Sequence, residues 1–178
     1  QHMALDQFRD GMSAKYRGVN APKGSSGADG LNVVPNRSNS GDCTSIEFGS
    51  TGQRMLRGMR RAIAAMALEG NNIIIDDIIL HEDFLTDYLI AMSSLPVYFV
   101  GVRCPLEAIK KRESLRLGRF PGTAEGHFAI CHAHQTYDIE VDTSVDSPED
   151  CAAQVIARIS SGPAQAFQIL TEQSKYDV

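Results

Sequence analysis

Three features are missing from this sequence, and each absence narrows the kind of protein that it can be. None of the four cysteines belongs to a C-x-x-C pair, so reduced thiols of a cytoplasmic protein explain them better than a zinc site or a disulfide framework. No apolar run is long enough to span a bilayer, and no secretion signal is visible. Positive charge is not in excess, because the net charge is −5, which argues against a general binder of nucleic acid or membrane surfaces.

What is present is an ordinary globular composition, with 43% hydrophobic and 22% charged residues among 178. A chain of this length suits one domain, which we place at residues 1–162, followed by a C-terminal tail at 163–178. The chain starts with Gln1 and His2 before Met3. These two residues either belong to a longer protein or remain from cloning, and both interpretations leave room for a segment upstream.

Apolar strands alternate with amphipathic helices, which predicts an α/β fold with a parallel, doubly wound sheet. The predicted strands include 73–77, 97–102 and 137–143. The clearest helix is 52–69, and another follows at 105–116. Residues 18–45 are rich in Gly, Ser, Asn and Pro and predict a structureless insert that serves as a lid or binding loop. Residues 117–123 break the second helix and predict a mobile lid.

Carboxylates follow two of the predicted strands. Asp76 and Asp77 end strand 73–77, at the edge where open α/β sheets bind ligands. One of them could hold Mg²⁺, directly or through water, or could merely cap the next loop. Asp6 lies just past the end of a first short strand and could accept a proton from a substrate hydroxyl. It could equally be the N-cap of the helix that it opens, and spacing does not separate these alternatives.

A group of cations follows the strand at 97–102. Basic residues outnumber acidic ones in the segment 101–120. Arg112 and Arg116 share a helical face, and Arg119 follows in a glycine-bearing turn. Guanidinium groups of this kind can bind polyphosphate and stabilise charge on a transferred phosphoryl group, although a solvated surface helix would show the same pattern. With the strand-end acids, the pattern suggests phosphoryl transfer.

Cys131, His132 and His134 form the one other cluster of potential metal ligands. They lie at adjacent and i, i+3 positions, without an H-x-x-x-H face or a fourth partner. We therefore interpret them as packed or surface residues.

Several segments together resemble the chloramphenicol phosphotransferase family. The matching segments are Leu5–Arg9, Ile73–Asp77, Val100–Cys104, Arg112–Arg119 and Tyr137–Thr143. They occur in order and with compatible spacing over most of the chain. This family has the P-loop kinase-like fold, and its named member transfers the γ-phosphoryl group of ATP to a hydroxyl of the antibiotic. The resemblance implies a three-layer parallel sheet and an O-phosphotransferase that uses ATP and Mg²⁺, with antibiotic resistance as a family trait.

The same resemblance implies a role for individual residues. Asp6 would be the catalytic base, and Arg119 would act in catalysis from the lid. The implied nucleotide-binding residues are Arg112, Arg116 and Arg119, the implied acceptor-binding residues are Phe8, Arg9 and Asp77, and the implied Mg²⁺ ligand is Asp76. The segment 18–45 would wall the acceptor pocket. Because this segment is longer and richer in Gly and Ser than in the antibiotic kinase, the acceptor need not be chloramphenicol.

One part of the family pattern is absent from these 178 residues. The family begins with a strand, a Walker A loop of the form G-x-x-x-x-G-K-S/T and a helix, and no such motif occurs here. The segment Gly24–Gly30 is glycine-rich, but it has no Gly-Lys-Ser/Thr and follows no predicted strand. Because the loop's backbone N–H groups and lysine bind the β- and γ-phosphates, we predict that the chain as written has little or no ATP-dependent kinase activity.

The missing strand would lie between strands 73–77 and 97–102. Two apolar strand edges without a partner promote aggregation, so we expect something to fill the position. The candidates are the tail around Phe167–Leu170, a partner chain, or direct pairing of the two strands.

Two further hypotheses remain beside the phosphotransferase. The chain could be a non-catalytic relative that binds an anion or a partner protein, or a nucleoside or nucleotide kinase of the same fold. The expected partner is a small molecule that offers a hydroxyl group, with no nucleic acid and no membrane, and a homo-oligomer is compatible with the sequence.

Overall fold

The structure is a computed structural model that describes residues 1–38, 41–116, 118 and 120–174. The strands are β1 (His2–Ala4), β2 (Arg17–Val19), β3 (Leu31–Ser38), β4 (Gly41–Phe48), β5 (Ile74–Asp76), β6 (Val100–Arg103) and β7 (Ile139–Asp142). The helices are α1 (Leu5–Asp10), a short 3-10 helix (Ala14–Tyr16), α2 (Ser26–Asp29), α3 (Ser50–Leu68), α4 (Glu82–Ala91), α5 (Leu106–Ser114), α6 (Thr123–His127), α7 (Pro148–Ser160) and α8 (Ala166–Gln173). None of these helices combines the length and apolarity that crossing a membrane requires.

The strands form small sheets, most of them parallel, in a mixed α/β fold. β1 pairs in parallel with β5, and β6 pairs in parallel with β7. A third sheet has the order β2-β3-β4, in which β2 and β3 are parallel and β3 and β4 form an antiparallel hairpin. The predicted strands near 73–77, 97–102 and 137–143 are therefore confirmed as strands, with shorter bounds.

The prediction that residues 18–45 lack regular structure is wrong. This segment contains the end of β2, all of α2 and β3, and most of β4. Two of its glycines allow close packing: a Cβ on Gly30 would lie 2.0 Å from the carbonyl oxygen of Tyr16, and one on Gly18 would lie 2.6 Å from Oδ1 of Asn32. The Asp29 carboxylate then accepts hydrogen bonds from the hydroxyls of Ser50 and Thr51, which joins α2 to the start of α3.

The main core lies between α3, α4 and the hairpin. Leu56, Met59 and Ile63 on α3 are at most 2% exposed, so one face of this amphipathic helix is buried. Facing them are buried residues from the other elements: Leu31, Val33, Phe48, Leu80, Phe84, Tyr88 and Met92. This core fixes the loop after β5, where the candidate site begins.

β1 with β5 and β6 with β7 form two separate pairs of strands. Within the described residues β5 and β6 do not pair with each other, so direct pairing of these two strands is not the outcome. Ile74 on β5 is 72% exposed and Val102 on β6 is 56% exposed.

Within the described residues the tail adds no strand to either pair, because it forms α8. Phe167 packs edge-on against Phe99 at 5.4 Å between ring centroids, and Leu170 is buried with Leu85 and Leu89 of α4. Asp138 accepts hydrogen bonds from the backbone N–H groups of Gln165 and Ala166 at the start of this helix. The tail therefore packs between α4 and the segment that leads into β6.

Candidate functional site

The candidate site lies at the carboxyl ends of β1 and β5. The parallel register places Ala4 opposite Asp76, so the acids that follow the two strands lie at the same sheet edge. Asp6, in the first turn of α1, is about half exposed and forms an ion pair with Arg9 at 3.1 Å. The Asp76 side chain is 76% exposed and lies 3.8 Å from Nε2 of His2. The structure thus places two solvent-accessible carboxylates at neighbouring strand ends, and their predicted roles in catalysis and Mg²⁺ binding stay predictions.

Asp77 follows directly but points into the protein. Its side chain is 6% exposed, accepts hydrogen bonds from the Tyr88 hydroxyl at 2.7 Å and from the Ile78 N–H at 2.8 Å, and lies 3.9 Å from the guanidinium of Arg60. Burial raises the pKa of the Asp77 carboxyl. The hydrogen bonds from Tyr88 and Ile78 and the positive charge of Arg60 lower this pKa, but their effect is smaller than that of burial. Burial likewise raises the pKa of Tyr88. Contact between Asp77 and a substrate stays a prediction.

Arg60 is a buried charge that the sequence analysis did not identify. It is 1% exposed, and its guanidinium lies 4.4 Å from the ring centroid of Phe84 and 4.9 Å from that of Tyr88. Nη1 donates to Asp87 at 3.2 Å, while Nε and Nη2 have no hydrogen-bond partner among the described atoms. A signal was available, because Arg60 lies one turn from Leu56 and Ala64 on the apolar stripe of α3.

The other residues expected at the site differ in their surroundings. Phe8 packs against the main core from α1, whereas Arg9 bonds to Asp6 and Asp10 at the surface. Arg112 donates to the hydroxyl and the carbonyl oxygen of Thr143, at 2.9 and 2.6 Å, which attaches α5 to the loop after β7. The side chain of Arg116 is exposed just beyond α5. Arg119 lies outside the described residues, so its predicted roles in catalysis and nucleotide binding stay predictions.

Metal binding at this edge would have to rely on few protein ligands. Within the described residues no group of three or more His, Cys, Asp or Glu side chains could hold a metal ion. Cys131, His132 and His134 are half-buried: the His134 ring stacks on Phe99 with 5.0 Å between centroids, and His132 Nδ1 hydrogen-bonds to the hydroxyl of Tyr137. Burial lowers the pKa of both histidines and raises that of Tyr137 to about 12.

Two open cavities flank β4. The first, of about 660 Å³, lies between the hairpin and Phe120 and Pro121, and contains the charged pair Arg37 and Asp42. The second, of about 620 Å³, lies between β4, the start of α4 and α6. Its lining comprises apolar residues (Ile46, Phe48, Leu80, Phe84 and Ile130), acidic residues (Glu47, Glu82 and Asp83), histidines (His81 and His127) and the small or polar residues Ser45, Gln53 and Gly126. Neither lining includes Asp6, Asp76 or Asp77.

Comparison with known sequences matches the chain to proteins whose names all refer to phosphotransferases. The family described as "Chloramphenicol phosphotransferase-like protein" matches residues 1–160. Two curated proteins from different strains of Mycobacterium tuberculosis, each named "Putative O-phosphotransferase", are 35% identical to the chain over 95 residues. The matched stretch is 53% of this chain and 42% of each relative, so the chain spans less than half the length of the curated relatives that it matches.

Proposed function

The chain belongs to the chloramphenicol phosphotransferase-like family, as the resemblance predicted, and we propose that it serves an O-phosphotransferase reaction on a hydroxyl of a small molecule. The observation that carries this proposal is the parallel pairing of β1 with β5, which brings Asp6 and Asp76 to one sheet edge. Ligands of open α/β sheets bind at such edges. The printed names of the two mycobacterial relatives refer to the same type of reaction.

In the proposed reaction Asp6 is the base. Its carboxylate is reachable from solvent and is oriented by Arg9 at 3.1 Å. A carboxylate at hydrogen-bond distance from the acceptor hydroxyl can take the proton as the oxygen attacks phosphorus. Asp77 then acts indirectly, because its contacts with Tyr88 and Arg60 hold the chain in place just after Asp76.

Of the two proposed cofactors, Mg²⁺ fits the described residues better than ATP does. The exposed Asp76 carboxylate suits Mg²⁺, which takes one or two carboxylates and otherwise binds water and phosphate oxygens. A triphosphate fits less well, because the sequence has no G-x-x-x-x-G-K-S/T loop and the glycine-rich segment packs against α3. We propose that the three-layer sheet of the P-loop kinases is incomplete here and that the 178-residue polypeptide alone transfers little or no phosphate from ATP.

The cavity of about 620 Å³ is our candidate for binding the apolar body of the acceptor, with the hairpin as one wall. Because Asp6 is not in its lining, the acceptor hydroxyl would have to extend beyond this cavity to reach the proposed base. Its volume and its apolar floor are typical of small-molecule sites. The lining contains three carboxylates, and no Lys or Arg of the described residues contributes to it. A polyanion would be repelled there, so the cavity favours an uncharged or amine-bearing acceptor with an apolar body.

The test measures phosphoryl transfer from ATP-Mg²⁺ to a panel of hydroxylated compounds, by the mass gain of the acceptor. The 178-residue polypeptide is compared with the product of the entire reading frame that encodes it. We expect transfer by the product of the entire frame and little or none by the polypeptide. Full activity of the 178-residue polypeptide would overturn the proposal that this polypeptide alone transfers little or no phosphate from ATP. Nucleotide binding by the frame's product without transfer to any acceptor would overturn the phosphotransferase proposal.

The alternative with specific support is a non-catalytic relative that binds an anion or a partner. Asp77 bonds to Tyr88 and Arg112 bonds to Thr143, so two groups expected to contact ligands are held by the protein itself. Calorimetric titration with ATP-Mg²⁺ without turnover would identify this case. A nucleoside or nucleotide kinase would be recognised in the same panel by its acceptor.

A further inference from the structure

The turn before α6 lies along β4, on the edge that faces away from β3. The backbone N–H of Thr44 donates to the carbonyl oxygen of Gly122 at 2.9 Å, and the Thr44 hydroxyl donates to the carbonyl oxygen of Pro121 at 2.6 Å. The bond between the backbone groups of Thr44 and Gly122 is of the kind that an additional strand would make with this edge. The hairpin is therefore covered on this side by the segment that leads into α6.

Two glycines allow α6 to approach β4 closely. A Cβ on Gly122, where φ is +82°, would lie 2.8 Å from Cα of Cys43, and a Cβ on Gly126 would lie 2.3 Å from the carbonyl oxygen of Thr44. Side chains at these positions would clash with backbone, which cannot move away as a flexible side chain can. The contact between α6 and β4 is thus built into the sequence.

The last residue of α6 completes this contact. His127 is 5% exposed, and its Nε2 accepts a hydrogen bond from the backbone N–H of Ile46 at 3.0 Å. A ring nitrogen that accepts a hydrogen bond must carry its lone pair, so the ring is neutral with its proton on Nδ1. Protonation of Nε2 would place two donors face to face and leave a buried charge.

The charged groups around His127 come from every element that packs against it. His81 precedes α4, Glu82 and Asp83 begin it, Glu47 lies on β4, and Glu113 lies on α5. Burial lowers the pKa of His127 and His81 adds to this, whereas Glu113 and the backbone of Thr123 oppose it. The neutral form required by the geometry is also the form that these surroundings favour.

The opposite side of α6 is held by α5. The two oxygens of Glu113 accept hydrogen bonds from the backbone N–H groups of Gly122 and Ala124, at 3.0 and 2.9 Å. Lys110 forms an ion pair with Glu125 at 3.4 Å. Because Glu113 lies next to Arg112 on α5, α6 connects the arginine-bearing helix to the hairpin.

We infer that α6 is a pH-sensitive clasp that holds the end of α5 on the β3–β4 hairpin, with neutral His127 as its closing contact. At neutral pH the Ile46 N–H is bonded and the clasp is closed. Protonation of His127 removes this acceptor and opens the contact between α6 and β4.

The test measures hydrogen exchange of the Ile46 amide by NMR in the 178-residue polypeptide, at neutral and at mildly acidic pH, after correction for intrinsic rates. In the wild type we expect the protection of Ile46 to fall about tenfold on acidification, the size of one lost hydrogen bond. His127→Gln, whose amide oxygen accepts at either pH, should remove this pH dependence. The Asn20 amide, which donates to Val33 at 2.7 Å, should keep its protection and serves as the internal control.

Two results would overturn the inference: equal protection of Ile46 at both pH values in the wild type, or a pH dependence that persists in His127→Gln. His127→Phe keeps a ring but has no acceptor and should leave Ile46 poorly protected at both pH values. If that variant does not fold, the comparison of wild type with His127→Gln still decides.

A consequence for catalysis rests on the proposed function. In a product of the entire reading frame that transfers phosphate, kcat should decline on acidification more steeply for the wild type than for His127→Gln. Because amide exchange needs no substrate, it tests the clasp even if the phosphotransferase proposal fails. If the Ile46 amide exchanges as expected but the pH dependence of kcat is the same in the wild type and in His127→Gln, only the link between the clasp and catalysis is overturned.

Discussion

Asp6 and Asp77 follow neighbouring strands, but their side chains have different surroundings. Asp6 is about half exposed next to Arg9, whereas Asp77 is 6% exposed between Tyr88 and Arg60. A proton acceptor must reach its substrate, while a buried, hydrogen-bonded carboxylate mainly orders the backbone around it. The same residue type at the same sheet edge therefore supports two different roles.

We predict that Asp6→Asn lowers turnover by at least about a hundredfold in the product of the entire reading frame, because an amide cannot accept the hydroxyl proton. Affinity for ATP should remain near normal, which calorimetry can measure. Asp10→Asn is the matched control, since Asp10 lies on the same helix and also pairs with Arg9, at 2.9 Å. Unchanged turnover in Asp6→Asn would remove this residue from the mechanism.

We also predict that Arg60→Met lowers the free energy of unfolding by about 3–5 kcal/mol, because it leaves the buried Asp77 carboxylate without its cation. Asp87 would keep its ion pair with Arg57, at 3.3 Å. Arg61→Met changes the neighbouring exposed residue and should alter stability by less than about 0.5 kcal/mol. Urea unfolding of both variants makes the comparison, and equal effects would show that Arg60 has no special structural role.

The tail illustrates how a single buried acid can organise an element. The Asp138 side chain is fully buried, bonds to Arg158 at 3.1 Å, and accepts hydrogen bonds from the N–H groups of Phe99 and Gln165. It thereby links α7, the start of α8 and the segment before β6. The sequence analysis named the tail only as a candidate for the missing strand position, because a sequence does not show what a helix such as α8 packs against.

For this element we predict that Asp138→Ala costs about 2 kcal/mol of stability, since it removes hydrogen bonds to a charged acceptor. Amides of α8 should exchange faster, as measured by mass spectrometry. Asp146→Ala serves as the control because the Asp146 carboxylate accepts instead from Gln154, at 2.8 Å. Exchange in α8 that is the same in both variants would contradict the anchoring role.

The hairpin shows why composition misled the prediction for residues 18–45. Asn32 is only 3% exposed, although it is polar, because its side chain accepts from the N–H of Ala21 and donates to the carbonyl oxygen of Ala21. Such pairing is invisible in a sequence, where an Asn among Gly and Ser residues indicates a loop. The alternation of Leu31 and Val33 was the available signal for a strand.

The described strands do not join into one sheet across the molecule. β1 with β5 and β6 with β7 form separate parallel pairs, and α8 packs against α4 and Phe99 without adding a strand. Ile74 on β5 and Val102 on β6 remain largely exposed. A strand from a partner chain at this position, and with it a homo-oligomer, stays a prediction.

For the molecule as a whole we predict that stability decreases on mild acidification. Burial lowers the pKa values of His127, His132 and His134 below the ordinary value of 6.5. Between that value and the lower folded values, the unfolded chain binds more protons, so the free energy of unfolding falls as pH falls. The raised pKa of Asp77 acts in the opposite direction, because the folded protein then binds its proton more readily.

Thermal unfolding at about pH 7.5 and about pH 5.5 tests this prediction, with a decrease in Tm of roughly 2–4 °C for each kcal/mol lost. His127→Gln should reduce the decrease. His2→Gln changes a largely exposed histidine and is the control. A Tm that does not decrease on acidification would show that the buried histidines do not control acid stability.

The sequence alone predicted the family, the strands β5, β6 and β7 and the position of Asp6 and Asp76 at strand ends, because these depend on local hydrophobic pattern and on motifs. It did not predict β3 and β4, whose polar and glycine-rich composition resembles that of a loop. Only the tertiary structure decided that Asp77 faces inward, that Arg60 is buried and that His127 binds to β4. Those outcomes depend on which elements pack together, and contacts between distant residues such as Ile46 and His127 leave no local pattern in the chain.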